Sequence, residues 1–202
     1  MNLGTQNRKI IWLTGIPNSG KTTLGKALKD YFLESGREKV YWVDSDNLRK
    51  KCPNLGYTHK DRLALFANLG CNIKEKLKSF DTIIVSATAN LLMYRKLVRD
   101  MLVAEVCFFE VFVDCPVKIC ATQRDEKKSI YSLAKRDRWK LPIYIEEKFD
   151  WIRNFRSCRE YVRTNFEYYD FYEPPTGRFL HVRSDKLSLE SQVREIITHM
   201  GE

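Results

Sequence analysis

Gly15-Ile16-Pro17-Asn18-Ser19-Gly20-Lys21-Thr22 fits the spacing G-x-x-x-x-G-K-[ST], with which a chain can wrap a polyphosphate. Each residue type has a chemical reason. Glycines at 15 and 20 let the loop, including Asn18 and Ser19, turn its backbone N–H groups inward around phosphate oxygens. The helix that follows then presents its positive end to them. Lys21 has the reach for the β- and γ-phosphates, and the Thr22 hydroxyl, with Thr23 beside it, is the candidate ligand for Mg²⁺. ATP and Mg²⁺ are therefore the expected cofactors.

A second constellation follows at Asp44-Ser45-Asp46-Asn47-Leu48-Arg49. Two carboxylates, an amide and a guanidinium together suit a clamp for a phosphoryl acceptor. One carboxylate can take a hydroxyl proton or steer the Mg²⁺ shell, while Arg49 meets an anion. Lys21, Asp46 and Asp44 are the catalytic candidates, and Asn47 and Arg49 are candidate acceptor contacts. Downstream, Leu55-Gly56-Tyr57-Thr58-His59-Lys60-Asp61-Arg62 adds an aromatic ring and another arginine. An ordinary capped turn is the competing reading of the 44–49 segment.

These residues need elements to hold them. Lys9–Thr14 (KIIWLT) has strand length and precedes the glycine loop, and Leu24–Ser35 shows helical spacing that ends at Gly36. Val40–Val43 is a short strand whose end delivers Asp44. Leu63, Phe66, Leu69, Ile73 and Leu77 give the stretch from His59 to Lys78 one apolar helical face. Asp81–Ala87 and Cys107–Val113 read as strands, and Leu91–Leu102 as a helix. Pro116 opens a further helix, Phe179–Val182 is a late strand, and Leu187–Met200 is a closing helix. Strands alternating with helices imply a parallel sheet covered on both faces, an α/β three-layer sandwich of the P-loop NTPase type. In such sheets ligands gather beyond the carboxyl ends of the strands, where both constellations fall.

The 202 residues suit a single domain spanning 1–202. Residues 125–165, dense in Lys, Arg, Trp and Tyr, read as a basic helical lid insertion within it. No apolar run reaches the ~20 residues that cross a bilayer, and Met1–Arg8 is polar, so no signal peptide is evident. A cytoplasmic protein with no membrane partner is expected, and a homodimer is compatible with the sequence. Six cysteines without a C-x-x-C pair argue for buried thiols rather than a zinc cage. The formal charge of +9 suits a polyanionic ligand. Switch proteins would need a guanine-reading Asn-Lys-x-Asp, which is absent, and motors are larger than this chain. The small size favours a nucleoside- or metabolite-kinase.

The motifs together resemble the adenylylsulfate (APS) kinase family, with its GxxxxGKTT, DGDNxR and LGF-S-x-x-DR. This chain reads GIPNSGKTT, DSDNLR and LGYTHKDR at matching intervals. Glu110–Pro116 is similar to the family's EVFVDCP, followed by Cys120 and Arg124-Asp125. Tyr172-Glu173-Pro174-Pro175 and Ser184-Asp185-Lys186-Leu187-Ser188 resemble its ending. The resemblance implies transfer of the γ-phosphate of ATP to the 3′-hydroxyl of adenosine 5′-phosphosulfate, giving PAPS. It makes Asp46, with Asp44 beside it, the acceptor-orienting carboxylate, and Arg49 and Arg62 the holders of the phosphosulfate. By the same resemblance Tyr57 stacks on the acceptor's adenine, Arg124 sits against the ATP adenine, and Lys128 matches the lysine of KGLY. Ser86 occupies the serine of ISPY and counts as a substrate contact.

The departures cluster around the acceptor. The family's DR-x-x-N-I-R-R becomes Asp61-Arg62-Leu63-Ala64-Leu65-Phe66-Ala67-Asn68, and ISPY becomes Val85-Ser86-Ala87-Thr88. The acceptor is thus either APS or another nucleotide-linked or sugar-linked hydroxyl. An ATP-bound nucleic-acid-binding protein, using Lys135, Arg136, Arg138, Trp139 and Lys140, is the rival from a different class, although nucleic acid is not the expected partner.

Overall fold

The computed structural model describes residues 8–36, 38–52, 54–55, 59–102, 106–124 and 172–201. Strands β1 (Lys9–Thr14), β2 (Val40–Asp44), β3 (Thr82–Ser86), β4 (Cys107–Asp114) and β5 (Leu180–Arg183) form one sheet in the order β2-β3-β1-β4-β5. Every pairing is parallel, so all strand ends that carry the motifs lie on one edge of the sheet. The helices are α1 (Lys21–Ser35), α2 (Ser45–Lys50), α3 (His59–Lys76), α4 (Leu92–Leu102), α5 (Val117–Thr122) and α6 (Leu189–Met200).

The central strand β1 shows why the sheet needs cover on both sides. Ile10 and Trp12 point to one face and Ile11 and Leu13 to the other, and all four are fully buried. On the first face Phe66, Leu69 and Ile73 of α3 meet Tyr94, Val98 and Leu102 of α4. On the second, Leu24, Leu28 and Phe32 of α1 pack beside Ile196 and Ile197 of α6. The expected three-layer α/β sandwich is the architecture of the described residues. Burial of a side chain the size of Leu or Phe stabilises by about 1.5–3 kcal/mol, so these two apolar layers fix the register of the strands.

Differences from the sequence reading sit at element ends. Helix α1 begins at Lys21 rather than Leu24, because Gly20 takes φ 104° and turns the chain directly into it. The segment read as a clamp after β2 is a short helix, α2. Asp44 caps it by accepting from the backbone N–H of Asp46 at 2.8 Å. Pro116 is the cap residue of α5, one position before the helix proper. The expected insertion at 125–165 lies outside the described residues.

Candidate nucleotide and acceptor site

The phosphate loop sits between β1 and α1, closely packed on β4. Gly15 has φ 153°, and a Cβ there would stand 2.3 Å from the Val113 carbonyl oxygen and 2.8 Å from Ser19 Oγ. Only glycine fits this approach. Asn18 adopts the left-handed conformation (φ 61°), which asparagine tolerates better than most residues, and its amide donates to the Cys120 carbonyl at 3.4 Å. Lys21 lies along the inner side of the turn. Its ammonium donates to the carbonyls of Gly15 (2.9 Å) and Ile16 (2.7 Å) and to Ser19 Oγ (3.4 Å). The lysine is 8% exposed, so a cationic head is held in a semi-enclosed concavity.

One residue further, the Thr22 hydroxyl donates to Asp44 Oδ2 at 2.7 Å, while Asp44 Oδ1 accepts from Asp46 N. The buried Asp44 therefore joins the start of α1 to the start of α2 with its two oxygens. Asp46 and Asn47 are exposed at the beginning of α2, and Arg49 is half-buried one turn on. Thr23 is exposed beside Thr22.

Arg124, expected against the ATP adenine, lies beside the phosphate loop. Its guanidinium donates from Nη1 to the carbonyls of Asn18 (3.5 Å) and Ser19 (3.3 Å) and to Ser184 Oγ (3.2 Å). Nη2 donates to the Ser184 carbonyl at 2.9 Å. The Ser184 hydroxyl itself donates to the Ser19 carbonyl at 2.5 Å. Arg124 thus ties the crest of the phosphate loop to the chain leaving β5.

The candidate acceptor wall is built on the α3/α4 side. Arg62, in the first turns of α3, is 9% exposed and donates from Nη1 to Asn90 Oδ1 at 2.8 Å. Asn90 is fully buried in the bend after β3, and its carbonyl accepts from Glu173 N at 2.7 Å. Glu173 Oε2 accepts from Leu92 N at 2.6 Å. Arg95 completes the clasp by donating to the carbonyls of Ala89 and Glu173, both at 2.6 Å. Thr14, at the end of β1, bonds both the Thr88 carbonyl and the Tyr172 hydroxyl at 2.9 Å. Burial, opposed by the nearby Arg95 charge, pushes the Tyr172 phenol above its ordinary range, so it stays a neutral hydroxyl.

Behind this wall Arg95 pairs with Glu110 at 3.1 Å, and Arg99 reaches the other Glu110 oxygen at 3.2 Å. Burial nevertheless raises the Glu110 carboxyl, outweighing the two arginines that pull it down.

Of the sequence candidates, Gly15, Asn18, Ser19, Gly20, Lys21, Thr22 and Thr23 form the loop and helix start, with Asp44 and Asp46 next to them. Arg62 lies on the candidate acceptor wall. Ser86 is buried beneath α1, where it accepts from Trp42 Nε1 (3.0 Å) and donates to the Lys21 carbonyl (3.1 Å). Its hydroxyl supports the backbone of the loop. Tyr57 and Lys128 lie outside the described residues. Sequence reasoning did not single out Asn90, Arg95 or Thr14 as site residues. Asn90 carried one signal, an amide four residues after a buried strand, but its partner Arg62 is on α3.

Among the described residues no helix is long and apolar enough to cross a membrane, and no group of three or more His, Cys, Asp or Glu could hold a metal ion. The five described cysteines are free thiols.

The family model for adenylylsulphate kinase matches residues 7–151, from the strand before the phosphate loop to well past Arg124. The chain belongs to the adenylylsulphate kinase family. The adenylyl-sulfate kinase of Buchnera aphidicola is 34% identical over 127 residues, covering 62% of this chain and 60% of that protein. That of Deinococcus deserti is 27% identical over 194 residues, covering 96% of this chain and 91% of that one. The APS kinase of Mycobacterium tuberculosis, in a structure with AMPPNP and APS, superimposes with a TM-score of 0.70 over 97% of this chain and 99% of that one. At 24% identity this last likeness concerns the fold. Against the pattern of adenylylsulphate kinases, the phosphate loop here is complete. On α3, by contrast, Leu65 stands where the pattern has an asparagine, and it is 1% exposed in the core.

Proposed function

We propose that this chain is an ATP-dependent phosphotransferase that passes the γ-phosphoryl group of ATP to the 3′-hydroxyl of adenosine 5′-phosphosulfate. The observation that carries the reading is the pair of bonds at Asp44, which lock the phosphate loop to the helix start bearing Asp46. Donor and acceptor groups are thereby held on one rigid hinge of side chains, as in-line transfer requires.

The residues fit the groups they would hold. The Gly15 turn admits no side chain, leaving backbone close to a polyphosphate, and Lys21 supplies a compact positive charge from within the turn. Thr22 Oγ1 and Asp44 Oδ2, hard oxygen donors 2.7 Å apart, suit Mg²⁺, which is commonly held by one or two carboxylates together with substrate phosphates. When bound, that cation offsets the charge of the β- and γ-phosphates. Asp46 is exposed at the start of α2, where it can orient the attacking hydroxyl and accept its proton. Arg62, steadied by Asn90, meets the acceptor's anionic group.

A second acceptor class, another nucleotide-linked or sugar-linked hydroxyl, is favoured by one observation. The α3 face that carries Arg62 offers the buried Leu65 where the family pattern has a polar amide. The deciding experiment incubates the full chain with ATP and Mg²⁺ and a panel of APS, other nucleotide conjugates and sugars, following ADP release. APS-dependent release that disappears in Lys21→Ala supports the first reading. Release with a different acceptor and none with APS selects the second, and ADP release with no acceptor at all would sink both.

A further inference from the structure

Ser184 lies on the chain leaving β5, at the other end of the sequence from the phosphate loop, and is 8% exposed. Its hydroxyl donates to the Ser19 carbonyl at 2.5 Å, and its own N–H donates to the Asp114 carbonyl at the end of β4 at 2.9 Å. Arg124 Nη1 reaches the same Ser19 carbonyl at 3.3 Å, and Nη2 holds the Ser184 carbonyl at 2.9 Å. The Ser19 oxygen therefore accepts two donors, one of them charged, and both come from outside the loop.

The peptide bond makes this more than a brace. The described residues contain no cis peptide, and in a planar trans peptide the C=O of one residue and the N–H of the next point in opposite directions. Pinning the Ser19 carbonyl toward β5 thus aims the Gly20 N–H away from β5, toward the concave side of the loop where Lys21 lies. Gly20, at φ 104° and ψ 1°, could otherwise rotate this peptide with little steric resistance. An amide aimed in advance binds an anion without the cost of ordering it.

We propose that Ser184 is a positioning residue for the phosphate loop: by holding the Ser19 carbonyl together with Arg124, it orients the Ser19–Gly20 peptide so that its N–H faces the polyphosphate of the nucleotide. The inference rests on the nucleotide-binding reading of that loop. Ser184 acts through the loop and not on the base or sugar, so its contribution belongs to any ligand that fills the loop with phosphate.

The test is calorimetric titration of the full chain and of Ser184→Ala with ATP-Mg²⁺ and, separately, with inorganic tripolyphosphate and Mg²⁺. Loss of one well-formed hydrogen bond predicts a rise in Kd of roughly five- to ten-fold for both ligands. Ser184→Thr, which keeps the hydroxyl, should restore the affinity of the parent chain. Thermal melting identifies a variant damaged in folding. Ser184→Cys, of similar volume but a weak donor, carries the same expectation if the alanine variant has no melting transition. Unchanged affinity in the alanine and cysteine variants overturns the proposal while leaving the nucleotide reading intact. So does a loss confined to ATP with tripolyphosphate unaffected, since that would place Ser184 on the base or ribose. If the parent chain takes up neither ligand, the nucleotide reading fails and the positioning role with it.

Discussion

Thr22 Oγ1 and Asp44 Oδ2 are joined by a 2.7 Å hydrogen bond that links the first turn of α1 to the end of β2. The second oxygen of the same carboxylate caps α2. Asp44→Ala therefore removes two functions at once. Loss of the cap is expected to lower stability by about 1 kcal/mol. Turnover should also demand a higher Mg²⁺ concentration. Asp44→Asn keeps an oxygen for the cap, so its melting temperature should stay near that of the parent while the Mg²⁺ requirement still rises. Parallel Mg²⁺ titrations of activity and melting curves separate the two effects.

Asp46 contributes its backbone N–H to the cap of α2, and its exposed side chain is the proposed orienter of the acceptor hydroxyl. For Asp46→Asn we expect kcat to fall by roughly 10²- to 10⁴-fold, the usual range for a lost proton acceptor. The Kd for ATP should change little. A kcat within a few-fold of the parent would remove Asp46 from the mechanism.

Arg62 and Asn90 act as a unit. Arg62→Ala deletes a charge-assisted contact of about 1.5–3 kcal/mol, which corresponds to a rise of roughly 10- to 100-fold in KM for the acceptor. Asn90→Ala removes the oxygen that orients the guanidinium and should shift the same constant in the same direction by less. KM for ATP should be steady in both variants. Equal losses of affinity for both substrates would show that the change had spread beyond the acceptor wall.

Gly15 is the least replaceable position of the loop. In Gly15→Ala the new methyl meets the Val113 carbonyl, a backbone atom that cannot swing aside. A strained backbone of this kind costs about 1–3 kcal/mol. Denaturant unfolding should record that loss, together with weakened ATP uptake, whereas Gly36→Ala, with nothing within 4 Å, should leave ATP uptake unchanged.

Glu110 gives the chain a pH signature. Burial raises its carboxyl above the ordinary value of 4.5, against the pull of Arg95 and Arg99. The folded state consequently binds this proton more readily than the unfolded state. Its contribution to stability is full below the unfolded pKa and declines as pH rises through the folded one. In Glu110→Gln this decline should vanish, and the difference in unfolding free energy between parent and variant should vary with pH above 4.5 and then level off. A difference independent of pH would contradict the raised carboxyl.

What the sequence revealed depended on how far apart the interacting groups are along the chain. The phosphate loop is legible because Gly15, Gly20, Lys21 and Thr22 act within one turn, and Lys9–Thr14 announces a strand by its apolar run alone. Helix α2 was less visible, since six residues with five polar side chains carry little periodicity, and its capping is seen only through the Asp44–Asp46 bond. The clasp of Arg62, Asn90 and Glu173 was not legible, as its members are brought together by three separate elements. Ser86 shows contacts that the motif did not suggest. A motif position suggested a ligand contact, while the fold turns that side chain toward Trp42 and the Lys21 backbone.

The strand order β2-β3-β1-β4-β5 separates two kinds of packing. The layer under α3 and α4 carries Arg62 and Asn90, and the layer under α1 and α6 carries the phosphate loop. On the proposed reading, inherited change can accumulate beneath the acceptor while the packing beneath the nucleotide is kept. A lineage built on this sheet is free to exchange the molecule it modifies while keeping its fuel.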